Sequence, residues 1–308
     1  MNNPVDQQLA HLRKHLSDYC SPWCKHSVSL VRPLPGGLTN RSYLLQSQGE
    51  RYVLRINAKN HRQLDLDRRA EIEILQAVGE IGVATELVYA DPAEGFLVTK
   101  FVDGDPWQRH MSGTTDTISQ IADLLKTIHQ LDGGDRVMDV RGKSAKYWQA
   151  INADGIRAEK LRAIEQKVQA FILWAENENR SPCLCHNDLL AENIIVADDN
   201  RLVAIDWEYA AMGDPYFDLA VVVEGHELTP FFERQLLSDY LGCEPSAAEM
   251  RRLQYCRIEY AYLELLWYAV QSSSSPILMP DQLFEERLIN LDQRLSTHDS
   301  LDANTSRE

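Results

Sequence analysis

The chain has 308 residues, 44% hydrophobic and 25% charged, with a formal net charge of −15 at pH 7. That length can bury a large core and form two lobes, the composition is that of a soluble globular protein, and no apolar run reaches the length of a membrane span. The acidic surplus argues against nucleic acid and anionic membrane as partners and is compatible with a cationic ligand.

The first residues, Met1 to Lys14, are polar and lack the apolar core of a signal peptide, so a cytoplasmic protein is expected. Cys20, Cys24 and His26, like Cys183, Cys185 and His186 further on, fit no common zinc spacing, and reduced packing cysteines are expected. Ser27 to Leu34 reads as a strand and Gly36-Gly37 as a turn. Ser42–Leu45 and Arg51–Ile56 then form a hairpin about Gln48-Gly49. Strand alternation sets Val53 and Arg55 on one face and Tyr52, Leu54 and Ile56 on the other. A helix follows over Leu66–Val78, where Glu71 shares a stripe with Ile74, Leu75 and Val78, while Glu73 points the opposite way. An acid inside an apolar stripe needs a partner, and Arg55 is the cation assigned to it. Glu86–Ala90 and Phe96–Val102 complete a β-rich first third.

From Asp103 on, helical periodicity dominates: Thr117–Leu131, Ile156–Trp174 and Met250–Val270. Between the last two lies His186-Asn187-Asp188, then Asn193 five residues after Asp188 and Asp206 eighteen after it. Ile194–Val196, Asp198–Asn200 and Leu202–Ile205 read as strand, turn, strand, which returns Asp206 to Asn193. A base and two oxygen ligands for a hard metal are the polar parts of phosphoryl transfer: Asp188 is the base, and Asn193 and Asp206 hold Mg²⁺. Ser272–Ser275 with Pro276 reads as a short loop, and Ser296–Glu308 as a frayed polar tail.

The pattern H-x-D-x4-N followed by Ile205-Asp206-Trp207-Glu208-Tyr209-Ala210, Gly213-Asp214-Pro215 and Asp218-Leu219-Ala220 resembles the choline, ethanolamine and thiamine kinase branch of the aminoglycoside phosphotransferase superfamily. The resemblance runs from about Val31 to Val270. It implies an α+β, bilobal protein-kinase-like fold, with a small β-rich N-terminal lobe at 1–102, a larger, mainly helical C-terminal lobe at 103–296, and a tail at 297–308. It also implies ATP and Mg²⁺ as cofactors. Leu34-Pro35-Gly36-Gly37-Leu38-Thr39-Asn40 resembles the family's phosphate loop, Arg55 its phosphate cation, and Lys100-Phe101-Val102 its adenine hinge. His186, grouped with Asp188 among the catalytic residues, and Asp218 resemble loop organisers beside the base, and the family's acceptors imply a small cationic alcohol of choline or ethanolamine type.

Aromatic faces and acids on the last long helix suit such a cation: Trp267 and Glu264 are assigned to the substrate, with Glu208 beside them. Tyr255, Ile258, Tyr262, Leu265, Leu266 and Ala269 make an ordinary core stripe on the same helix. Thiamine, an aminoglycoside, or no acceptor at all in a silent nucleotide-binding scaffold are the competing readings. A protein kinase is disfavoured because no D-F-G and no evident activation loop before an A-P-E is present.

Overall fold

A computed structural model describes residues 4–35, 39–151, 156–177, 181–274 and 280–305. The glycine turn at Gly36-Gly37 lies outside them, as do Ser275 and Pro276 of the expected short loop, whose Ser272 to Ser274 are instead helical.

Two short helices, α1 (Pro4–Lys14) and α2 (Leu16–Cys20), precede a sheet. Its strands are β1 (Ser29–Pro33), β2 (Arg41–Ser47) and β3 (Glu50–Ile56), then, after helix α3 (Arg68–Ile81), β4 (Leu87–Ala90) and β5 (Phe96–Lys100). They pair antiparallel in the order β1-β2-β3-β5-β4. One face buries Tyr43, Leu45, Leu54 and Val98 with Leu12 of α1 beneath them. The other presents Arg55, whose register neighbours are Ser42 and Leu97. Helix α3 starts where the Asp67 carboxylate accepts from Arg69 N and Ala70 N, both at 3.1 Å, and it ends at Gly82 in the left-handed region.

Strand β6 (Gly104–Pro106) follows, then helices α4 (Thr115–His129), α5 (Val140–Ala150) and α6 (Ile156–Asn177). Strand β7 (Cys183–Cys185) leads into the hairpin that carries Asn193 and Asp206, β8 (Ile194–Ala197) and β9 (Leu202–Ala204), and strand β10 (Ala211–Gly213) returns to pair with β7. Helices α7 (Pro215–Gly225), α8 (Pro230–Leu241), α9 (Ala247–Ser274) and α10 (Asp281–Thr305) complete the chain. The backbone of α10 is helical through Thr305, so the frayed tail expected from Ser296 is corrected: the polar composition there is compatible with a helix.

Strand β6 pairs with β8, which hooks the segment after Asp103 onto the β8–β9 hairpin. A Cβ on Gly104 would stand 2.1 Å from the Val196 carbonyl oxygen, so only glycine allows that approach. The core is not divided at Asp103. Ile74, Leu75 and Val78 of α3 pack in one cluster with Ile118, Ile121 and Leu125 of α4 and Ile194 of β8. A backbone bond from Ala204 N to Val83 O, 2.8 Å, adds a second tie. No helix among the described residues is long and apolar enough to cross a membrane.

Candidate active site

Asp188 ends the turn that follows β7. Helix α7 fixes this turn through Asp218, which is fully buried and accepts from His186 N at 2.7 Å and Asn187 N at 2.6 Å. His129, at the end of α4, meets the same carboxylate at 3.1 Å. Asp218 is thus the anchor of the loop.

His186 itself is buried. Its Nε2 lies 3.1 Å from the Ile205 carbonyl and its ring stacks on Trp207 at 4.7 Å. Burial depresses its pKa to about 4, so the imidazole is neutral at physiological pH. It does not line the cavity that holds Asp188, and its assignment among the catalytic residues is corrected to a buried support. The Cys183 and Cys185 sulfurs lie 3.8 Å apart beside His129, rather than beside His186 as their spacing would draw them.

The hairpin brings Asn193 and Asp206 together. Ile205 N donates to Asn193 O at 2.9 Å, so the next residue, Asp206, emerges beside Asn193. Asp206 is held at φ 63° and Asn187 at φ 62°, a left-handed conformation that aspartate and asparagine tolerate better than other residues with a Cβ. Asn193 donates through Nδ2 to the Asp188 carbonyl at 2.8 Å and to Asp188 Oδ2 at 3.0 Å, which turns its own amide oxygen away from the base. Asp206 Oδ1 accepts from Arg55 at 3.0 Å. The two remaining oxygens, Asn193 Oδ1 and Asp206 Oδ2, are the hard ligands a magnesium ion takes. The charge balance agrees. Asp188, Asp206, Glu208 and Glu71 face two guanidinium groups, Arg55 and Arg68, and the carboxyls of Asp188, Asp206 and Glu208 are all pushed up, first by burial. A divalent cation relieves that excess, so the residues present fit the metal.

Arg55 and Glu71 do meet, as an ion pair at 2.6 Å without hydrogen-bond alignment. Burial alone would raise the Glu71 carboxyl, yet Arg55 and Arg68 hold it below its ordinary range. Glu73 lies outside, bound to Arg69 at 3.1 Å. Sequence reasoning missed Arg68. Almost fully buried, it donates from Nη1 to Glu71 at 3.0 Å and Glu208 at 2.7 Å, and from Nη2 to Asn40 at 2.9 Å. Its signal was available: Arg68 stands three residues before Glu71, on the buried stripe.

Asn40 was assigned to the nucleotide, but both ends of its amide are engaged within the protein. Nδ2 donates to Glu208 at 2.6 Å, and Oδ1 accepts from Arg68 and from Ala58 N. Glu208, assigned to the acceptor, is likewise gripped by Arg68 and Asn40, although it reaches the cavity edge with Thr39. Lys100 lies over the Tyr52 ring at 4.9 Å and pairs with Glu50 at 3.2 Å. The backbone N–H groups of Lys100 and Phe101 bond Glu86 O and Arg51 O. Among the described residues, that leaves the Val102 N–H as the unengaged donor of the three.

Beyond Asp188 a cavity of about 200 Å³ opens between α5, α7 and α9. Helix α9 divides its aromatics cleanly. Tyr255 and Tyr262 are core, whereas Tyr260, Glu264, Trp267 and Tyr268 line the cavity. Trp267 donates to the Tyr209 hydroxyl at 2.8 Å, and Glu264 pairs with Arg287 of α10.

The sequence profile of a family described as the phosphotransferase enzyme family matches residues 30–255. Protein LicA of Haemophilus influenzae is 30% identical over 220 residues, which cover 70% of this chain and, just under two thirds, 64% of that protein. The crystal structure of choline kinase LicA from Streptococcus pneumoniae superimposes with a TM-score of 0.76 at 22% identity, covering 93% of this chain and 99% of that one. A structure of LicA in complex with AMP gives a TM-score of 0.77 at 21% identity, covering 92% and 98%. At these identities the structures show a shared kinase-like fold.

Proposed function

Because this chain belongs to the phosphotransferase enzyme family, we propose that it is a small-molecule kinase that transfers the terminal phosphoryl group of ATP to the hydroxyl of a small cationic alcohol, of choline or ethanolamine type. The observation that carries this reading is the position of Asp188. Its carboxyl stands where the metal-fitting pair Asn193 and Asp206 meets a cavity walled by Tyr260, Trp267 and Glu264. The names of the similar proteins, one a choline kinase and one a complex with AMP, support the same acceptor class and an adenine nucleotide.

In this reading the acceptor hydroxyl lies against Asp188, which orients it and accepts its proton as the new P–O bond forms. Burial and the neighbouring Asp206 and Glu208 carboxylates raise the Asp188 carboxyl, which makes it a better proton acceptor than an exposed aspartate. Asn193 keeps it aimed. Asn193 and Asp206 would hold magnesium, which neutralises phosphate charge when bound. Arg55, fixed by Glu71, offers Nη2, which has no partner among the described residues, towards phosphate oxygens. Gly36, Gly37 and Thr39 form the phosphate loop, and Val102 offers backbone to the base. The aromatic wall receives the acceptor's nitrogen cation.

The test is ADP release with Mg–ATP and, in parallel, choline, ethanolamine, thiamine or an aminoglycoside. Acceptor-dependent release with a small cationic alcohol is expected. Release only with the aminoglycoside moves the acceptor class, and release with none of them sinks the kinase reading.

A further inference from the structure

One charged group in the acceptor cavity is left over by that mechanism. Lys143 of α5 is 6% exposed and lines the cavity with Asp188. Its ammonium stands 4.7 Å over the Tyr209 ring and 5.4 Å over the Tyr147 ring. The nearest carboxylate, Asp65, is 3.7 Å away, beyond hydrogen-bond reach, and is already paired with Lys146. Among the described residues no acceptor stands within hydrogen-bond distance of its three N–H donors. Asp65 and Glu208 act on it as opposite charges, and Arg136 and Lys146 as like charges. An ammonium that opens on the cavity with no protein acceptor is available to an anion that enters it.

The cavity is therefore dipolar. Glu264 and the Trp267 and Tyr260 faces lie on the α9 wall, and Lys143 lies on the α5 wall. Choline and ethanolamine match the first wall and leave the second unanswered. A plain cation also shares the cavity with the cation of Lys143.

Building on the phosphotransferase reading, we propose that the preferred acceptor is a zwitterionic amino alcohol, whose carboxylate or equivalent oxygen anion is received by Lys143 while its nitrogen cation faces Trp267 and Glu264. Lys143 is then a specificity-determining residue. It fixes the acceptor at a second point, so that the hydroxyl presents to Asp188. Burial, which penalises the ammonium, increases the value of the ion pair that the acceptor brings.

Two matched pairs test this, each differing only by a carboxylate: ethanolamine against L-serine, and choline against N,N,N-trimethyl-L-serine. Calorimetric binding in the presence of Mg–ADP reads affinity without turnover, and ADP release from Mg–ATP reads kcat/KM. The carboxylate-bearing member of each pair is expected to bind about tenfold to a hundredfold more tightly, the range of one charge-assisted hydrogen bond. Lys143→Met should erase that preference and Lys143→Arg retain part of it, while the KM for ATP stays in place. The wild-type comparison needs no variant, so a folding defect in Lys143→Met does not blunt the test. Equal or tighter binding of the plain alcohols in both pairs overturns the proposal, and so does a Lys143→Met variant that weakens both members of a pair alike. Turnover of the plain alcohols in that case leaves the kinase reading standing. Absence of both binding and ADP release with all four overturns the two together.

Discussion

In the proposed mechanism Asp188 carries the chemistry, because burial and three neighbouring side chains act on one carboxyl. Asn193 orients it, burial raises it, and the acids Asp206 and Glu208 raise it further. Asp188→Asn keeps the shape and removes the proton acceptor. Turnover should fall by about 10²–10⁴, the usual range for one acid–base group, with nucleotide affinity measured by calorimetry unchanged. Wild-type turnover would remove Asp188 from the mechanism. Asn193→Ala and Asp206→Ala each delete one of the two free oxygens that fit the metal, so both should shift the magnesium titration of activity to higher concentration. A titration unmoved in both variants would put the metal elsewhere. Arg68 has a different role. It binds Glu71, Glu208 and Asn40 at once, each of them buried. Arg68→Met strands two buried carboxylates, and urea denaturation should show a loss of about 3–5 kcal/mol, as for a broken buried ion pair. A loss below 1 kcal/mol would mean that the network relaxes without its arginine.

At the scale of elements, what could be read from the sequence followed the strength of the periodic signal. Strands β2, β3 and β5 are short, apolar-rich runs bounded by turn residues, and α3 and α4 carry one apolar stripe each, so all five were legible. Helix α7, Pro215-Tyr216-Phe217-Asp218-Leu219-Ala220-Val221-Val222-Val223, is buried on nearly every side and so has no stripe to read. That Asp188, Asn193 and Asp206 come together was legible because their spacing is local. Lys143 was not, because a lysine in a polar helix reads as solvated until tertiary packing encloses it, and Arg68 is told from its solvated neighbour Arg69 only by its spacing to Glu71. Helix α7 also bears a titratable lock. His226, its buried C-terminal cap, lies 2.8 Å from the Ser112 hydroxyl and 3.2 Å from the Leu189 carbonyl, next to the catalytic aspartate. Burial lowers its pKa from the ordinary 6.5 to about 4, as it does for His186. A histidine depressed in the folded state binds its proton more readily when unfolded, so the stability it contributes is complete above pH 6.5 and drains away as pH falls towards 4. Urea unfolding free energy should therefore drop over that window, by on the order of 3 kcal/mol for each such histidine. His226→Gln should flatten the drop. An equally steep pH profile in the variant would assign the acid sensitivity to other groups.

The whole molecule is stitched together at the cleft by both packing and charge. The α3 stripe shares its core cluster with α4 and β8, the Ala204–Val83 bond crosses between the two regions, and the Arg55–Asp206 and Arg68–Glu208 pairs bind the same two regions through buried groups. A sequence boundary near Asp103 marks where strands give way to helices, yet the core cluster on α3 belongs as much to the helices beyond it. The two lobes should then unfold as one unit. Scanning calorimetry should give a single transition whose calorimetric and van't Hoff enthalpies agree, and residues 1–102 expressed alone should lack a cooperative transition, because α3 would expose Ile74, Leu75 and Val78. Mg–ATP binds between the lobes in the proposed mechanism, so it should raise that single midpoint as a whole, by about 2.7 kcal/mol of stability at a hundred times its dissociation constant. Two resolved transitions, with the nucleotide shifting only one of them, would show that the lobes are thermodynamically independent and that the shared core is too weak to couple them.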